Sequence, residues 1–325
     1  MLVPHAIPGL ICAYRFPANA APYALNDVDG DTVISEAANE TGWVWLHLNL
    51  VDKRCARWLT DRLGLPGGAV AAFCDEPSRQ YLSEVQDCVI GHLTDFLREF
   101  DADSTDTSWC RILLTDRILV TGRVKALQSA ERLRREIARG HQFQSPQDMF
   151  SLLLSNFPDT LDSALNRLTD ELEAIEDHVL DDRHRNERRR LSLVRREAAQ
   201  LHRHMRAMRR AFVLAERHLH VPESVAHTAA RLANLDQDFD SLESRARFFH
   251  DEIDAKLAAE TNRQLYILSA LTSAFLPPAL VAGVFGMNMK WLPFTASDWG
   301  FWYVIVLCIL SSAAVWLYLW WINRA

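Results

Sequence analysis

The sequence of 325 residues has few of the residues that break regular structure and no excess of positive charge. Its twelve glycines and twelve prolines are too few for a collagenous or low-complexity chain. Its six cysteines include no C-x-x-C pair, which favours reduced thiols buried in a core over a disulfide framework. A formal net charge of −7 argues against a dedicated nucleic-acid binder. The first residues lack a basic segment followed by an apolar one, so we expect no signal peptide.

Charged residues are also missing from two stretches near the C-terminus. Residues 264–289 and 299–323 contain no charged side chain over 26 and 25 positions. A helix of about 20 residues crosses a bilayer core of about 30 Å, so both stretches are long enough to span a membrane. Only nine residues separate them, which predicts a helical hairpin with a short external loop. Because no signal precedes the long N-terminal part, we expect that part and both termini to be cytosolic.

Glycine is absent between Gly140 and Gly283, which favours very long helices. Apolar residues recur every seven positions from Val225 to Ile253, in the a/d pattern of packed long helices. This pattern predicts one helix from about residue 222 to residue 287. Similar seams at 161–179 and 191–212 are out of phase with each other, so we expect a turn at the polar run 181–190.

The first 150 residues have a different pattern. Apolar and polar residues alternate over 43–50, which predicts a half-buried strand, and 110–114 and 117–121 predict a hairpin. Residues 10–16 and 87–97 are further candidate strands, and 126–138 is a candidate helix. The predicted fold class is therefore an α+β multi-domain membrane protein. Its expected parts are a cytosolic α/β domain at 1–145, a long-helix stalk at 146–262, a first transmembrane helix at 263–289, an external loop at 290–298, and a second transmembrane helix with a cytosolic tail at 299–325.

Candidate chemistry in the cytosolic part is sparse. The sequence has no nucleophile elbow, phosphate-binding loop or paired catalytic carboxylates, so we expect no enzyme. His202 and His204 are two positions apart on a helix and cannot form a simple bidentate metal site. Asp251 and Asp254 lie one turn apart, where they are either solvated or part of a metal-sensing site. The eleven arginines of 183–210 form either a patch for anionic partners or a solvated helix face.

The triplet Gly286-Met287-Asn288 at the end of the first span resembles the signature of the CorA metal-ion transporter family. The upstream segments at 262–269 and 275–277 are similar to that family too. The N-terminal segments 43–48 and 114–121 resemble its zinc-transporter branch. The resemblance implies a funnel-shaped homopentamer in a bacterial inner membrane, with the first span lining the pore and the second surrounding it. It further implies membrane lipid and divalent cations as partners, no nucleic acid and no cofactor.

The sequence departs from the family pattern at two positions shortly after the triplet. Lys290 and Trp291 stand where the zinc branch usually has glycine, and magnesium channels usually place a glutamate at the position of Lys290. A ring of lysines at an outer mouth would repel cations unless the ammonium groups point away from the axis.

Helical spacing below Asn288 predicts the stripe of the first span that lines a pore. Five Asn288 side chains would present carbonyl oxygens to a hydrated ion, which suits an ion that dehydrates reluctantly. The first span holds no Cys, His, Asp or Glu, so a zinc ion would pass hydrated and weakly held. Zinc is the first choice of ion, with Mg, Co, Ni and Cd as alternatives; a membrane-anchored coiled-coil scaffold is the competing class. The predicted stripe consists of Gly283, Ala279, Leu276, Thr272, Ser269, Leu265 and Asn262.

Overall fold

The protein is described by a computed structural model, in which the chain divides into two compact units, Met1–Phe248 and Phe249–Ala325. The first unit contains a β-sheet covered by helices, and the second is helical, which confirms the predicted fold class. The boundaries predicted at residues 145 and 262 stay predictions. The structure describes residues 7–25, 30–39, 41–97, 106–180, 187–218, 223–287 and 299–322.

Within the described residues, the sheet has seven strands in the order β2-β1-β3-β7-β6-β5-β4. Neighbouring strands are antiparallel except β3 and β7, which run parallel. The strands are β1 (Leu10–Pro17), β2 (Tyr23–Ala24), β3 (Gly42–Asn49), β4 (Tyr81–Val85), β5 (Cys88–Phe96), β6 (Thr107–Leu114) and β7 (Ile118–Arg123).

Eight helices complete the described part of the chain. Four short ones belong to the sheet region, three long ones follow it, and the last lies near the C-terminus. The helices are α1 (Gly30–Ala38), α2 (Arg54–Asp61), α3 (Gly67–Cys74), α4 (Gln128–Ala138), α5 (Pro146–Leu180), α6 (Glu187–His218), α7 (Glu223–Phe285) and α8 (Gly300–Ile322).

Strand β3 confirms the strand predicted at 43–50 but corrects its burial. Its side chains from Trp43 to Leu48 are all buried, whereas the alternating pattern predicted one solvated face. The reason is that helices pack on both sides of the sheet. Val44 and Leu46 join the core shared with α2 and α3, and on the other face the indole Nε1 of Trp45 donates to Thr121 Oγ1 at 2.9 Å.

The hairpin predicted at 110–121 is confirmed as the antiparallel pair β6 and β7. Thr115 closes its turn, because the Ile118 backbone N–H donates to Thr115 Oγ1 at 3.0 Å. The strands predicted at 10–16 and 87–97 and the helix predicted at 126–138 are also confirmed, as β1, β5 and α4.

The long helices confirm the heptad seams. The apolar seam residues of α5 and α6 are buried, and so are Val225, Leu232 and Phe239 of α7. Helices α5 and α6 are separate, as the phase change at the polar run predicted; residues 181–186 lie outside the described part of the chain. Ion pairs join α7 to α5 in the first unit: Arg231 lies 2.7 Å from Asp159, and Arg245 lies 2.9 Å from Glu176.

Several described arginines of the basic run on α6 form ion pairs, namely Arg190, Arg206 and Arg209. Arg190 lies 2.8 Å from Glu187 and 2.9 Å from Glu171 of α5, and Arg167 of α5 pairs with Glu197. These contacts support the solvated-face interpretation of the arginines over a patch for anionic partners. The cysteines are all free, and burial raises the pKa of Cys12 and Cys55 to about 12.

Candidate ion pathway

In the part of the chain that the structure describes, two helices are long and apolar enough to cross a membrane. They are the apolar part of α7, within Val225–Phe285, and Gly300–Trp321 of α8. Large apolar side chains of both helices face outward, including Phe275, Leu280, Phe301 and Leu317, each at least 65% exposed. Water is a poor solvent for such a surface, whereas a lipid bilayer accommodates it. These helices match the two spans predicted from the charge-free runs.

One face of α7 packs against α8 within the second unit. Pro278 has no backbone N–H, so it leaves the carbonyl of Ala274, four residues before it, without its helical donor. The Ser312 hydroxyl of α8 donates to that carbonyl at 2.9 Å. A neighbouring helix thus satisfies the acceptor that the proline frees, as an apolar environment requires. We call this face the covered stripe; its partly buried members are Ala270, Ser273, Ala274, Pro277, Pro278, Val281 and Phe285.

The predicted pore-lining residues occupy the opposite face of the same helix. At 3.6 residues per turn, the average direction of the predicted stripe lies about half a turn from that of the covered stripe. All members of the predicted stripe are exposed in the single chain. At Gly283 the space that a side chain would occupy is open, because no described atom outside the helix's own nearby backbone lies within 4 Å of it. We call this face the open stripe. Its members are Asn262, Leu265, Ser269, Thr272, Leu276, Ala279 and Gly283.

The polar side chain of Thr272 has a partner inside α7. Its hydroxyl donates to the Leu268 carbonyl at 2.8 Å, so it does not need a second helix to satisfy it. A hydrogen bond between α7 and α8 comes instead from Ser312 of α8.

The signature triplet begins where α7 ends. The Gly286 backbone N–H donates to Ala282 at 2.8 Å, and the side chain of Met287 is 52% exposed. Asn288, Lys290 and Trp291, with the loop at 290–298, lie outside the described residues. Their roles stay predictions from the resemblance.

The pair Asp251 and Asp254, predicted to be cytosolic, lies on α7 in the second unit. Asp251 is exposed, and His250 Nε2 lies 3.6 Å from the Asp254 carboxylate. The described residues place no third carboxylate, histidine or cysteine with this pair in a metal-ligand group. A metal-sensing role for the pair stays a prediction.

A different cluster gathers metal-ligand side chains from two helices. His202 of α6 and Asp236 and Asp240 of α7 each place one ligand atom within 4.8 Å of the others. Burial alone would raise the pKa of Asp236, but hydrogen bonds from His202 and Arg206, together with the charges of Arg209 and Arg206, lower it.

The sequence shows the spacing of the cluster residues within each helix. His202, Arg206 and Arg209 follow the i, i+4, i+7 spacing of one helix face, as do Asp236, Asp240 and Glu243. Nothing in the sequence states that these two faces meet, and the spacing along α6 excluded only a bidentate site of His202 with His204.

Comparisons with known proteins agree with this architecture. The zinc transport protein ZntB of Pectobacterium atrosepticum is 24% identical over 93% of this chain and 94% of its own length. The divalent cation transporter CmaX of Pseudomonas aeruginosa is 24% identical over 86% of each chain. The solved structure of full-length CmaX has a TM-score of 0.79 at 21% identity and covers 99% of this chain and 98% of its own. The family described as CorA-like Mg²⁺ transporter protein matches residues 40–324, so this chain belongs to that family.

Proposed function

We propose that the protein carries divalent metal cations across a membrane, with zinc as the first choice of ion. The observation that carries the proposal is the open stripe of α7, which places small and polar side chains opposite the face that α8 covers. Lipid is a poor neighbour for Asn262 and Ser269, which a water-filled pathway would accommodate. Membership of the CorA-like family supports the same function.

A pathway needs more than one copy of the chain. A single helical hairpin cannot surround an aqueous path, and the open stripe lacks a covering helix among the described residues. We propose that several copies turn their open stripes to a shared axis, with five copies as the family resemblance implies. The location we propose is a bacterial inner membrane with both termini in the cytoplasm.

The order of residues along the open stripe suggests how an ion would pass. The amide oxygens of Asn288 would accept hydrogen bonds from the waters of a hydrated ion at the outer mouth. Gly283 lets the helices approach closely, because it adds no side chain at the axis. Leu276 and Leu265 would form apolar constrictions that close by losing water, and Thr272 and Ser269 would offer polar contacts between them.

The choice between zinc and magnesium depends on two opposing observations. The name of the ZntB relative supports zinc. Amide oxygens and a span without Cys, His, Asp or Glu suit a hydrated ion, and Mg²⁺ holds its waters more strongly than Zn²⁺. Magnesium is therefore the second candidate, and Lys290 at the mouth bears on both because its charge opposes any cation.

The test is ion uptake into liposomes that contain the purified protein. Zn²⁺ and Mg²⁺ are supplied side by side, with and without a pH gradient, to wild type, Asn288→Ala and Asn234→Ala. Asn234 is an exposed asparagine of α7 in the first unit and serves as the matched control. We expect zinc uptake to fall at least about tenfold in Asn288→Ala, because the variant lacks the amide oxygens that accept hydrogen bonds from the waters of the hydrated ion. Zinc uptake should be unchanged in Asn234→Ala.

Other outcomes separate the alternatives. Uptake of magnesium alone, with the same dependence on Asn288, would assign the protein to the second candidate. Uptake of neither ion by folded oligomers would contradict transport and favour a membrane-anchored scaffold.

A further inference from the structure

We propose that His202, Asp236 and Asp240 form a binding site for one divalent metal ion of the zinc type, which joins α6 to α7 in the first unit. The site lies outside the open stripe, and its existence does not depend on whether the protein transports ions.

The donor set and its spacing suit such an ion. One imidazole nitrogen and two carboxylate oxygens lie within 4.8 Å of one another, close enough for one ion to contact all three after small side-chain movements. His202 Nε2 is 2.8 Å from Asp236 Oδ1 and 3.9 Å from Asp240 Oδ1. Zinc accepts mixed nitrogen and oxygen ligands, whereas Mg²⁺ prefers oxygen alone and near-octahedral geometry.

The second nitrogen of the same imidazole is already held by a carboxylate. His202 Nδ1 lies 2.9 Å from Glu243 Oε1, and the imidazole ring stacks on Phe239 with a centroid separation of 5.4 Å. In the metal-free protein Nε2 donates to Asp236, and a bound ion would displace that proton and take the lone pair of Nε2, while Nδ1–H donates to Glu243. Metal-binding histidines commonly have such a carboxylate on the other ring nitrogen, which fixes the tautomer and the ring orientation.

Negatively charged side chains outnumber the arginines around the cluster, which favours binding of a cation. Three carboxylates, those of Asp236, Asp240 and Glu243, face two guanidinium groups. Arg206 lies 3.1 Å from Asp236 and 2.8 Å from Asp240, and Arg209 lies 3.3 Å from Asp236. Both arginine side chains are at least 40% exposed, so they can turn into water at little cost when an ion replaces them.

The cluster is also accessible from solvent on one side. His202 is buried, with 2% of its side chain exposed, whereas the Asp240 side chain is 60% exposed. An ion would therefore enter past Asp240 and meet His202 last. Because the ligands come from two helices, a bound ion would tie α6 to α7 more tightly than the exposed ion pairs do.

The test is zinc binding by the full-length protein in detergent, measured by equilibrium titration with Zn²⁺ and repeated with Mg²⁺. Asp240→Asn removes an exposed ligand without opening the core, and Asp238→Asn is the matched control, an exposed aspartate two positions away. We expect wild type and Asp238→Asn to bind one more high-affinity Zn²⁺ per chain than Asp240→Asn does.

Two further variants locate the ligand set. His202→Gln should weaken this zinc binding at least about tenfold, and Glu243→Gln about tenfold, because the carboxylate on Nδ1 supports the metal-bound imidazole. His204→Ala, the neighbouring histidine on α6, should leave it unchanged. Co²⁺ in place of Zn²⁺ should give visible absorption bands that His202→Gln loses.

The proposal would be overturned if Asp240→Asn and Asp238→Asn bound Zn²⁺ alike, since the cluster would then be an ion-pair network only. Equal binding of Zn²⁺ and Mg²⁺ would also contradict the zinc-type assignment. Binding retained in Asn288→Ala separates this site from the proposed pore mouth, so either proposal can fail alone.

Discussion

At the scale of single residues, the buried histidines of the sheet show how position overrides ordinary side-chain chemistry. His47 is 2% exposed, and its Nδ1 lies 2.8 Å from Thr121 Oγ1. Burial is the largest cause that lowers the pKa of His47, and the charges of Arg123 and Arg134 lower it further, to about 3. A histidine in an unfolded chain has a pKa of about 6.5 and begins to take up a proton near that pH. At the same pH the imidazole of His47 stays neutral in the folded protein.

This difference predicts acid sensitivity with a defined sign. The pKa of His47 is lowered on folding, so its contribution to stability is complete above about pH 6.5 and is lost as the pH falls towards 3. The loss from one such histidine approaches about 1.4 kcal/mol per pH unit. We expect His47→Gln to be less stable at pH 7 but to lose less stability between pH 6.5 and 4.5, measured by urea unfolding of the full protein.

The exposed histidine His227 of α7 provides the control. His227→Gln should keep the wild-type pH dependence. A wild-type slope that His47→Gln does not reduce would contradict the assignment of the acid sensitivity to His47.

At the scale of helices and strands, local patterns predicted the elements, and contacts between distant segments decided the rest. The strands β3, β6 and β7 and the seams of α5, α6 and α7 follow from residue periodicity. Strand β4 was not predicted, because its two-residue turn to β5 uses Gln86 and Asp87 at positive φ instead of the usual Asn-Gly or Asp-Gly. The parallel pairing of β3 with β7 and the meeting of His202 with Asp236 join segments far apart in the chain, which periodicity cannot reveal.

The contact between α7 and α8 gives a prediction at this scale. Ser312→Ala would remove the donor that satisfies the Ala274 carbonyl, which Pro278 leaves without its helical partner. Hydrogen bonds between membrane helices contribute about 0.6 kcal/mol on average and about 1.7 kcal/mol at most. We expect a loss of unfolding free energy in that range, measured by detergent-induced unfolding followed by circular dichroism.

Ser311→Ala is the matched control, because the Ser311 hydroxyl donates to Cys308 within its own helix at 2.8 Å. This variant should change the unfolding free energy little. Equal effects of the two substitutions would argue against the special role of Ser312.

At the scale of the whole molecule, the arrangement that the proposed function requires is the assembly of several chains around the open stripe. The seven positions of that stripe could be named from the sequence because a straight helix fixes which residues share a face. Only the structure shows that the stripe is exposed in the single chain, on the face opposite the one that α8 covers. The number of copies depends on contacts between chains, so the proposed five copies rest on the family resemblance.

The proposed function requires that ions pass along the open stripe of α7. The most direct measurement compares zinc uptake by two cysteine variants, Ala279→Cys on the open stripe and Leu280→Cys one position away, before and after a charged thiol-specific methanethiosulfonate reagent. Cys308→Ala in both variants removes the native thiol of the second unit.

We expect the reagent to block uptake in Ala279→Cys, because a water-filled pathway exposes that thiol and the added group narrows the pathway. Leu280→Cys should be unaffected, since its side chain, 69% exposed in the single chain, would face lipid or a neighbouring helix. Block of Leu280→Cys with Ala279→Cys unaffected would contradict the assignment of the open stripe to the ion pathway.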